Sequence, residues 1–232
     1  MRLACNIAQE SPGGRLRRPT EIPNLAAWYR ADQGITIATG VSQWNDISGN
    51  ARHLTQGTGG AQPLFVASAV NGKPAVRCDG ADDFMTAAFA LTQPCTMFFA
   101  VKNVAVGAAA THDVLVDGGT LGTVAIVQDN SPNFTITAGT ARSSATTLAN
   151  GVYDRWGLYL NGAPSYFTSA GATFLGPFTF GANNPGGLTL GALQNGSRSA
   201  NVEFAEAIVY SRFLSASEGA RVDAYLKARY AL

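Results

Sequence analysis

The sequence predicts an all-β fold, an antiparallel sandwich or barrel, and three observations support that prediction. Charged residues make up only 13 % of the 232 residues, hydrophobic residues make up 46 %, and glycine occupies 26 positions. Short apolar runs of strand length recur along the chain, and turn sequences separate nearly all of them. The alternation of strands and helices that is typical of a parallel α/β sheet is missing, as is any internal repeat. We therefore expect one β-domain over residues 22–232, preceded by a distinct segment over residues 1–21.

The segment over residues 1–21 differs in composition from the rest of the chain. Its prolines and glycines oppose regular structure. Two interpretations stay open: a disordered tail, or an extended anchoring arm that becomes ordered against another subunit or a larger assembly. The apolar stretch near the start is short and is interrupted by Asn6, which does not fit a secretory signal. Four of the 16 basic residues lie in this segment, namely Arg2, Arg15, Arg17 and Arg18.

Candidate strands follow one another closely from residue 24 to residue 210. Thr96–Val101 is a continuous apolar run, which fits a strand that is buried on both faces. Asn24–Tyr29 is either a short helical turn or the start of a strand. Four Asn-Gly pairs, which begin at positions 71, 150, 161 and 195, predict hairpins because both central residues of a type I′ turn have positive φ. The other candidate strands are 41–44, 65–66, 75–78, 114–116, 123–127, 134–138, 155–160, 178–180, 188–190 and 203–210.

One helix is predicted near the carboxyl end of the chain. Ser215 and Glu218 have the spacing of a capping box, in which each side chain accepts a hydrogen bond from the backbone N–H of the other residue. Val222, Tyr225 and Leu226 then form a narrow apolar stripe at helical spacing. We expect this helix to lie on one face or at one edge of the sandwich.

Two segments of the chain carry recognisable motifs. The first contains LAAWYRAD at 25–32, VSQWNDISGN at 41–50, NGKPAVR at 71–77 and DGADD at 79–83, and the second contains FAEAIVYSR at 204–212 and the helix that ends in YLKARY at 225–230. Together they resemble the concanavalin A-like lectin/glucanase superfamily, in its laminin-G-like branch. The resemblance implies a jelly-roll sandwich of two antiparallel sheets and, in many members, binding of carbohydrate or protein. Such modules are common in bacteriophage virion proteins and bacterial surface proteins, and the fold hosts lectins, hydrolases and structural modules, so it does not by itself determine a function.

Glycoside hydrolysis is the reaction most worth testing, given the hydrolases of this superfamily. They commonly carry Glu-x-Asp-x-Glu, which places three carboxylates on one strand face, and that pattern is absent here. Glu203 and Glu206 are three positions apart, so they point to opposite faces of a strand unless a bulge intervenes. The sequence therefore predicts no catalytic residues and no enzymatic activity.

Nucleophilic and transition-metal sites are also not predicted. His53 and His112 are the only two histidines, and no Gly-x-Ser-x-Gly motif is present. Cys5, Cys78 and Cys95 show no Cys-x-x-Cys spacing, and the last two lie in strand-like apolar runs where a small buried side chain is expected. These residues are therefore interpreted as structural.

Two kinds of binding site remain candidates. A sugar site needs an aromatic ring exposed to the ligand and convergent polar groups, and its candidate rings are Trp156, Tyr153, Tyr159 and Tyr166. Calcium is the one cofactor that stays open, since relatives in the superfamily bind it through acidic and carbonyl oxygens. Its candidate ligands are Asp79, Asp82 and Asp83, with Asp113 and Asp117 further along the chain.

These observations and the resemblance predict that the protein is a non-catalytic virion component of a bacteriophage, located in the tail, in a fibre or on the capsid surface. Its expected partners are other virion proteins, further copies of itself or a cell-surface glycan. The net charge of +1 gives no general attraction to nucleic acid, and the longest apolar run is too short to cross a membrane. The alternatives are a carbohydrate-binding adhesion module and, less favoured, a glycoside hydrolase.

Overall fold

The structure is a computed structural model, and it describes residues 18–105, 113–128, 133–147 and 149–232. Within these ranges it contains two antiparallel sheets stacked as a jelly-roll-type sandwich, with one α-helix near the end of the chain, which confirms the predicted fold class. The strands, in chain order, are β1 (Leu25–Arg30), β2 (Ile35–Ile37), β3 (Val41–Trp44), β4 (Leu54–Thr55), β5 (Leu64–Val70), β6 (Lys73–Asp79), β7 (Met85–Ala88), β8 (Cys95–Ala105), β9 (Asp113–Asp117), β10 (Ala125–Gln128), β11 (Asn133–Thr137), β12 (Arg142–Thr147), β13 (Tyr153–Leu160), β14 (Ser165–Ser169), β15 (Ala172–Phe178), β16 (Gly187–Leu190) and β17 (Asn201–Tyr210). The helix α1 spans Ala216–Tyr230, and 3-10 turns lie at Pro19–Glu21 and Gly59–Ala61.

The two sheets enclose the main core, and α1 covers the outer face of the eight-stranded sheet. The eight-stranded sheet has the order β15-β14-β13-β8-β17-β6-β5, and β1 also pairs with β17. The nine-stranded sheet has the order β12-β11-β10-β9-β16-β7-β4-β3-β2. The main core lies between the sheets and includes Trp44, Phe99, Phe134 and Phe204. A second apolar cluster lies on the outer face of the eight-stranded sheet, where α1 covers it.

Strand β8 explains why the eight-stranded sheet is apolar on both faces. Met97 and Phe99 point into the main core, whereas Phe98 and Ala100 belong to the cluster under α1. Because successive side chains of a strand point to opposite faces, a strand buried on both faces must be apolar throughout. This confirms the prediction made from the continuous run at 96–101.

Helix α1 begins as the sequence predicts. The Glu218 amide donates to the Ser215 hydroxyl at 3.3 Å, and the Ser215 amide donates to the Glu218 carboxylate at 2.9 Å. The hydrogen bond from Arg212 and those from Ser215 lower the pKa of Glu218 to about 2. Val222, Tyr225 and Leu226 are buried against the eight-stranded sheet, so the predicted apolar stripe is the face by which the helix packs.

The turns follow the sequence only in part. Asn71 and Gly72 both have positive φ and join β5 to β6, as a type I′ turn requires. The pair at 161–162 also joins two antiparallel neighbours, β13 and β14, so that hairpin is confirmed, although only the glycine has positive φ. The pairs at 150–151 and 195–196 lie between strands of different sheets, so the hairpin prediction is wrong there. Of the two interpretations of residues 24–29 the strand is confirmed, since β1 spans Leu25–Arg30.

The described part of the predicted arm packs on the domain. Pro19 is buried, and its carbonyl accepts a hydrogen bond from the Tyr210 hydroxyl at 3.0 Å. Arg18 is exposed, while Arg2, Arg15 and Arg17 lie outside the described residues. None of the helices in the described ranges combines the length and the apolar character that crossing a membrane requires.

Candidate functional site

The four aromatic residues predicted as sugar-binding rings lie on β13 and β14, and the alternation of side chains separates them. Trp156 is only 2 % exposed and belongs to the core between the sheets. Its ring packs edge-to-face against Phe134 at 5.2 Å and Phe167 at 5.7 Å. Trp156 borders the small cleft beside Tyr153, but a ring buried between two others offers almost no face to a sugar, which argues against the prediction for Trp156.

Tyr153 lies at one end of β13, beside a small cleft of about 270 Å³. Its hydroxyl donates to Glu203 at 2.7 Å, and the Lys102 ammonium lies 5.0 Å from the centre of its ring. Asp154 in the same cleft already accepts hydrogen bonds from the Trp156 indole, the Ser169 hydroxyl and two backbone amides. Tyr153 and Asp154 thus already form hydrogen bonds within the protein.

Tyr159 and Tyr166 come together on the outer face of the eight-stranded sheet. Their rings are stacked, with centres 4.2 Å apart and planes inclined by 19°. They border a groove of about 230 Å³ between α1 and the edge strands β14 and β15, here called the tyrosine groove. Its other residues include Phe98, Thr168, Thr173, Gly219 and Asp223.

Three further contacts hold the tyrosine pair in place. Phe213 meets both rings edge-to-face, each at 5.8 Å. The Nε atom of the buried Arg155 donates to Asp223 at 2.9 Å, which joins α1 to β13. Arg155 binds Oδ1 of Asp223, and the second carboxylate oxygen accepts no hydrogen bond from the residues that the structure describes, so it can accept one from a ligand.

Two glycines make room for the pair. A Cβ atom at Gly219 would overlap the Tyr159 hydroxyl, and a Cβ atom at Gly157 would lie 3.0 Å from Cε2 of Tyr159. Such approaches are closer than ordinary carbon contacts of about 3.5–4.0 Å. The sequence therefore places glycine on β13 and on α1 where the Tyr159 ring passes between them.

Burial determines the chemistry that the groove offers. Burial raises the pKa of both Tyr159 and Tyr166, so their hydroxyls remain protonated at neutral pH. Tyr159 is only 4 % exposed and belongs to the apolar cluster under α1, so the half-buried Tyr166 supplies the ring that a ligand can reach. The groove thus combines one accessible aromatic ring, hydroxyl groups that donate and accept, and one carboxylate oxygen. Sugar-binding sites use this combination of ring faces for C–H groups and polar atoms for hydroxyls.

Thr168, Thr173 and Asp223 were not predicted as site residues. Asp223 lies one helical turn after Gly219, so the spacing of four places both on one face of α1. The sequence shows this spacing, but it does not show which strand this face of α1 packs against.

Three of the acidic residues predicted as calcium ligands lie together, and Asp117 lies apart from them. One carboxylate oxygen from each of Asp79, Asp82 and Asp83 lies within 4.8 Å of the others. Burial, followed by the negative charge of Asp79, raises the pKa of Asp83 to about 6. Asp117 belongs elsewhere, since its carboxylate accepts from the backbone amides of residues 118, 122 and 194.

Glu203 and Glu206 lie on the same face of β17. The pairing register with β8 shifts between Phe204 and Glu206, so Ala205 is an extra residue of a β-bulge. Glu203 pairs with Lys102 at 2.6 Å, whereas Glu206 is 0 % exposed and accepts from the Trp28 indole at 2.6 Å and the Tyr230 hydroxyl at 2.8 Å. Both carboxylates are therefore already bound within the protein.

The remaining motif residues have structural roles. Asp46 accepts from the amides of Trp28, Ser48 and Arg52, and His53 accepts from the amide of Asp46. Cys78 and Cys95 are free and buried, as expected. Cys5 and His112 lie outside the described residues.

Comparison with known proteins shows a likeness of fold. The Trypanosoma rangeli sialidase in complex with the inhibitor DANA is similar with a TM-score of 0.62 and 14 % identity, covering 86 % of this chain and 32 % of the sialidase. The binding domain of Paraclostridial Mosquitocidal Protein 1 has a TM-score of 0.62 at 13 % identity, covering 89 % of this chain and 52 % of that one. This chain thus spans about a third of the sialidase and about half of the second protein.

Another similar structure is domain 4 of AbnA, a GH43 extracellular arabinanase from Geobacillus stearothermophilus, solved in complex with arabinotriose. It has a TM-score of 0.61 and 13 % identity, and the match covers 84 % of this chain and 96 % of that domain. No family model and no curated protein matches this sequence. At these identities the likeness concerns the fold alone, and it is consistent with the concanavalin A-like sandwich expected from the sequence.

Proposed function

We propose that this protein is a non-catalytic, lectin-like β-sandwich module that binds carbohydrate in the tyrosine groove. The observation that supports this proposal is the half-buried ring of Tyr166 beside Asp223, which the buried Tyr159 holds in place by stacking against it. A rigid aromatic wall with few polar groups fixes the orientation of a sugar ring at low entropic cost.

The comparisons support the proposal at the level of whole domains. The arabinanase domain was solved with a bound arabinose trisaccharide, and this chain matches nearly all of that domain. The second similar structure is itself described as a binding domain. Arabinotriose is therefore the first ligand that we would test.

The positions of the carboxylates support a non-catalytic module. A glycosidase of the common type needs two carboxyl groups that flank the substrate, one as acid and one as base or nucleophile. Glu206 is fully buried under Trp28 and Tyr230, and Glu203 is paired with Lys102. Neither side chain can reach a glycosidic bond without breaking these contacts.

Calorimetric titration with a panel of neutral oligosaccharides, arabinotriose among them, tests the proposal. The Tyr166→Ala variant should bind about two- to tenfold more weakly than the wild type, since an aromatic contact contributes about 0.5–1.5 kcal/mol. Phe178→Ala is the matched control, because Phe178 lies on the neighbouring strand β15, is 46 % exposed and does not line the groove. Equal affinities for both variants, or no binding to any sugar in the panel, would reject the proposal.

A virion location remains a further prediction, based on the sequence resemblance and the basic residues before the domain. Mass spectrometry of purified bacteriophage particles that encode the chain would test it. Stoichiometric presence of the chain is the predicted result, and its absence from particles would refute the prediction while leaving sugar binding untouched.

A further inference from the structure

A second cleft on the outer face of the eight-stranded sheet opens between β1 and the last turns of α1. It has a volume of about 540 Å³, within the range of about 300–1,000 Å³ typical of small-ligand sites. Three arginines border it, Arg18, Arg30 and Arg229, and the aromatic rings of Trp28 and Tyr225 form its floor. We call it the arginine cleft.

The arginines of this cleft have donors to spare. Arg30 binds Asp32 through Nε at 3.1 Å and Nη2 at 2.9 Å, and Arg229 binds Asp32 through Nη2 at 2.6 Å and lies 3.2 Å from Glu206 through Nε. Their Nη1 atoms make no hydrogen bond with the described part of the chain. Arg18 is exposed and has no ion pair there. A guanidinium has five N–H donors, so several remain for a ligand.

Positive charge exceeds negative charge around the cleft. Asp32 is shared between two arginines, and although burial acts to raise its pKa, hydrogen bonds from Arg30 and the charge of Arg229 lower it. Glu206 is fully buried behind Trp28, and burial raises its pKa. The three lining arginines and the two acids that bind them, when both are ionised, sum to one positive charge, and that excess favours an anion.

Trp28 and Tyr225 add a narrow apolar strip to the lining of the cleft, since they are 5 % and 7 % exposed. Trp28 and Tyr225 meet edge-to-face with ring centres 6.3 Å apart, and the guanidinium of Arg30 lies 5.6 Å from the centre of the Trp28 ring. Guanidinium groups bind carboxylates in a planar, two-point geometry, whereas aromatic rings contact the C–H groups of sugars. A simple inorganic anion would bind the guanidinium groups but would make no use of the aromatic rings.

From this combination we propose that the arginine cleft binds the carboxylate of an acidic sugar residue, as a glycan site separate from the tyrosine groove. The ligand class is an oligosaccharide that contains a uronic acid or another carboxylated sugar.

Calorimetry at low salt with trigalacturonate and sialyllactose tests this site. Each acid has an uncharged counterpart, the methyl ester of trigalacturonate and the methyl ester of sialyllactose, so that the rings stay and the carboxylate charge is removed. At least one acid should bind, and its uncharged counterpart should bind about tenfold more weakly. Arg18→Gln should weaken the acid by about fivefold, the effect of one partly exposed charged hydrogen bond.

The matched control is Arg221→Gln, which removes an exposed arginine of α1 that does not line the cleft. It should leave the affinity unchanged. Equal effects of Arg18→Gln and Arg221→Gln, no binding of either acid, or equally tight binding of inorganic phosphate would overturn the proposal. Tyr166→Ala should retain acid binding; if it abolishes that binding, the acid occupies the tyrosine groove and the arginine cleft is not the site.

Discussion

The substitution Gly219→Ala tests how closely α1 packs on the eight-stranded sheet. At a helix position free of contacts, alanine in place of glycine stabilises a protein by about 1 kcal/mol. Here the added methyl group would overlap the Tyr159 hydroxyl and lie 3.1 Å from its Cζ atom. Tyr159 cannot withdraw, because Tyr166 stacks on it at 4.2 Å and Phe98 meets it edge-to-face at 5.5 Å.

We therefore expect Gly219→Ala to lower the free energy of unfolding by about 1–3 kcal/mol, the usual cost of forcing a methyl group into a packed site. Urea unfolding at constant m value measures this change. The double variant Gly219→Ala with Tyr159→Phe removes the overlapping hydroxyl, so its loss should be smaller than the sum of the two single losses by about 1 kcal/mol. A stabilised Gly219→Ala protein, or strictly additive losses, would refute the packing described for the groove.

Three other predictions concern the core, the buried acid and the acidic trio. Trp156→Ala should lower the free energy of unfolding by about 3–5 kcal/mol in urea, because the ring fills the core between the sheets; a loss below about 1 kcal/mol would contradict this burial. Glu206→Ala should lower it by about 2–5 kcal/mol, since two buried donors lose their acceptor, whereas a change within about 0.5 kcal/mol would show that they find other partners. For Asp83, whose pKa in the folded protein is raised to about 6, ionisation opposes folding, so Asp83→Asn should raise the thermal midpoint above pH 6 and not below pH 4. In the same assay, calcium should raise the midpoint of the wild type more than that of Asp83→Asn, and no shift in the wild type would reject the calcium prediction.

Local patterns predicted some of the elements, whereas β2, β4, β7, β12 and β14 were not among the predicted strands. The continuous run in β8 identified a strand buried on both faces, and the capping box located the first turn of α1. Both signals depend on neighbours within a few residues, so the sequence carries them directly. Trp156 could have been assigned correctly by the same means, since it lies in phase with Leu158 and Leu160 on β13 and all three face the core.

Contacts between distant parts of the chain could not be predicted in this way. Strand β17 pairs with β1, β6 and β8, which precede it by roughly 100 to 180 residues. The bulge at Ala205 breaks the alternation of β17 and brings Glu203 and Glu206 to one face, although no turn residue marks it. The arginine cleft joins residues 18, 30 and 229, which only the completed sheet and helix bring together.

An NMR titration of the labelled protein with a neutral oligosaccharide that it binds, such as arabinotriose, tests sugar binding in the tyrosine groove most directly. The predicted result is that the largest amide shifts cluster at Thr168, Thr173 and Asp223 around the stacked tyrosines. Shifts confined to the small cleft beside Tyr153, or to the nine-stranded sheet, would contradict the assignment of the groove as the sugar-binding site.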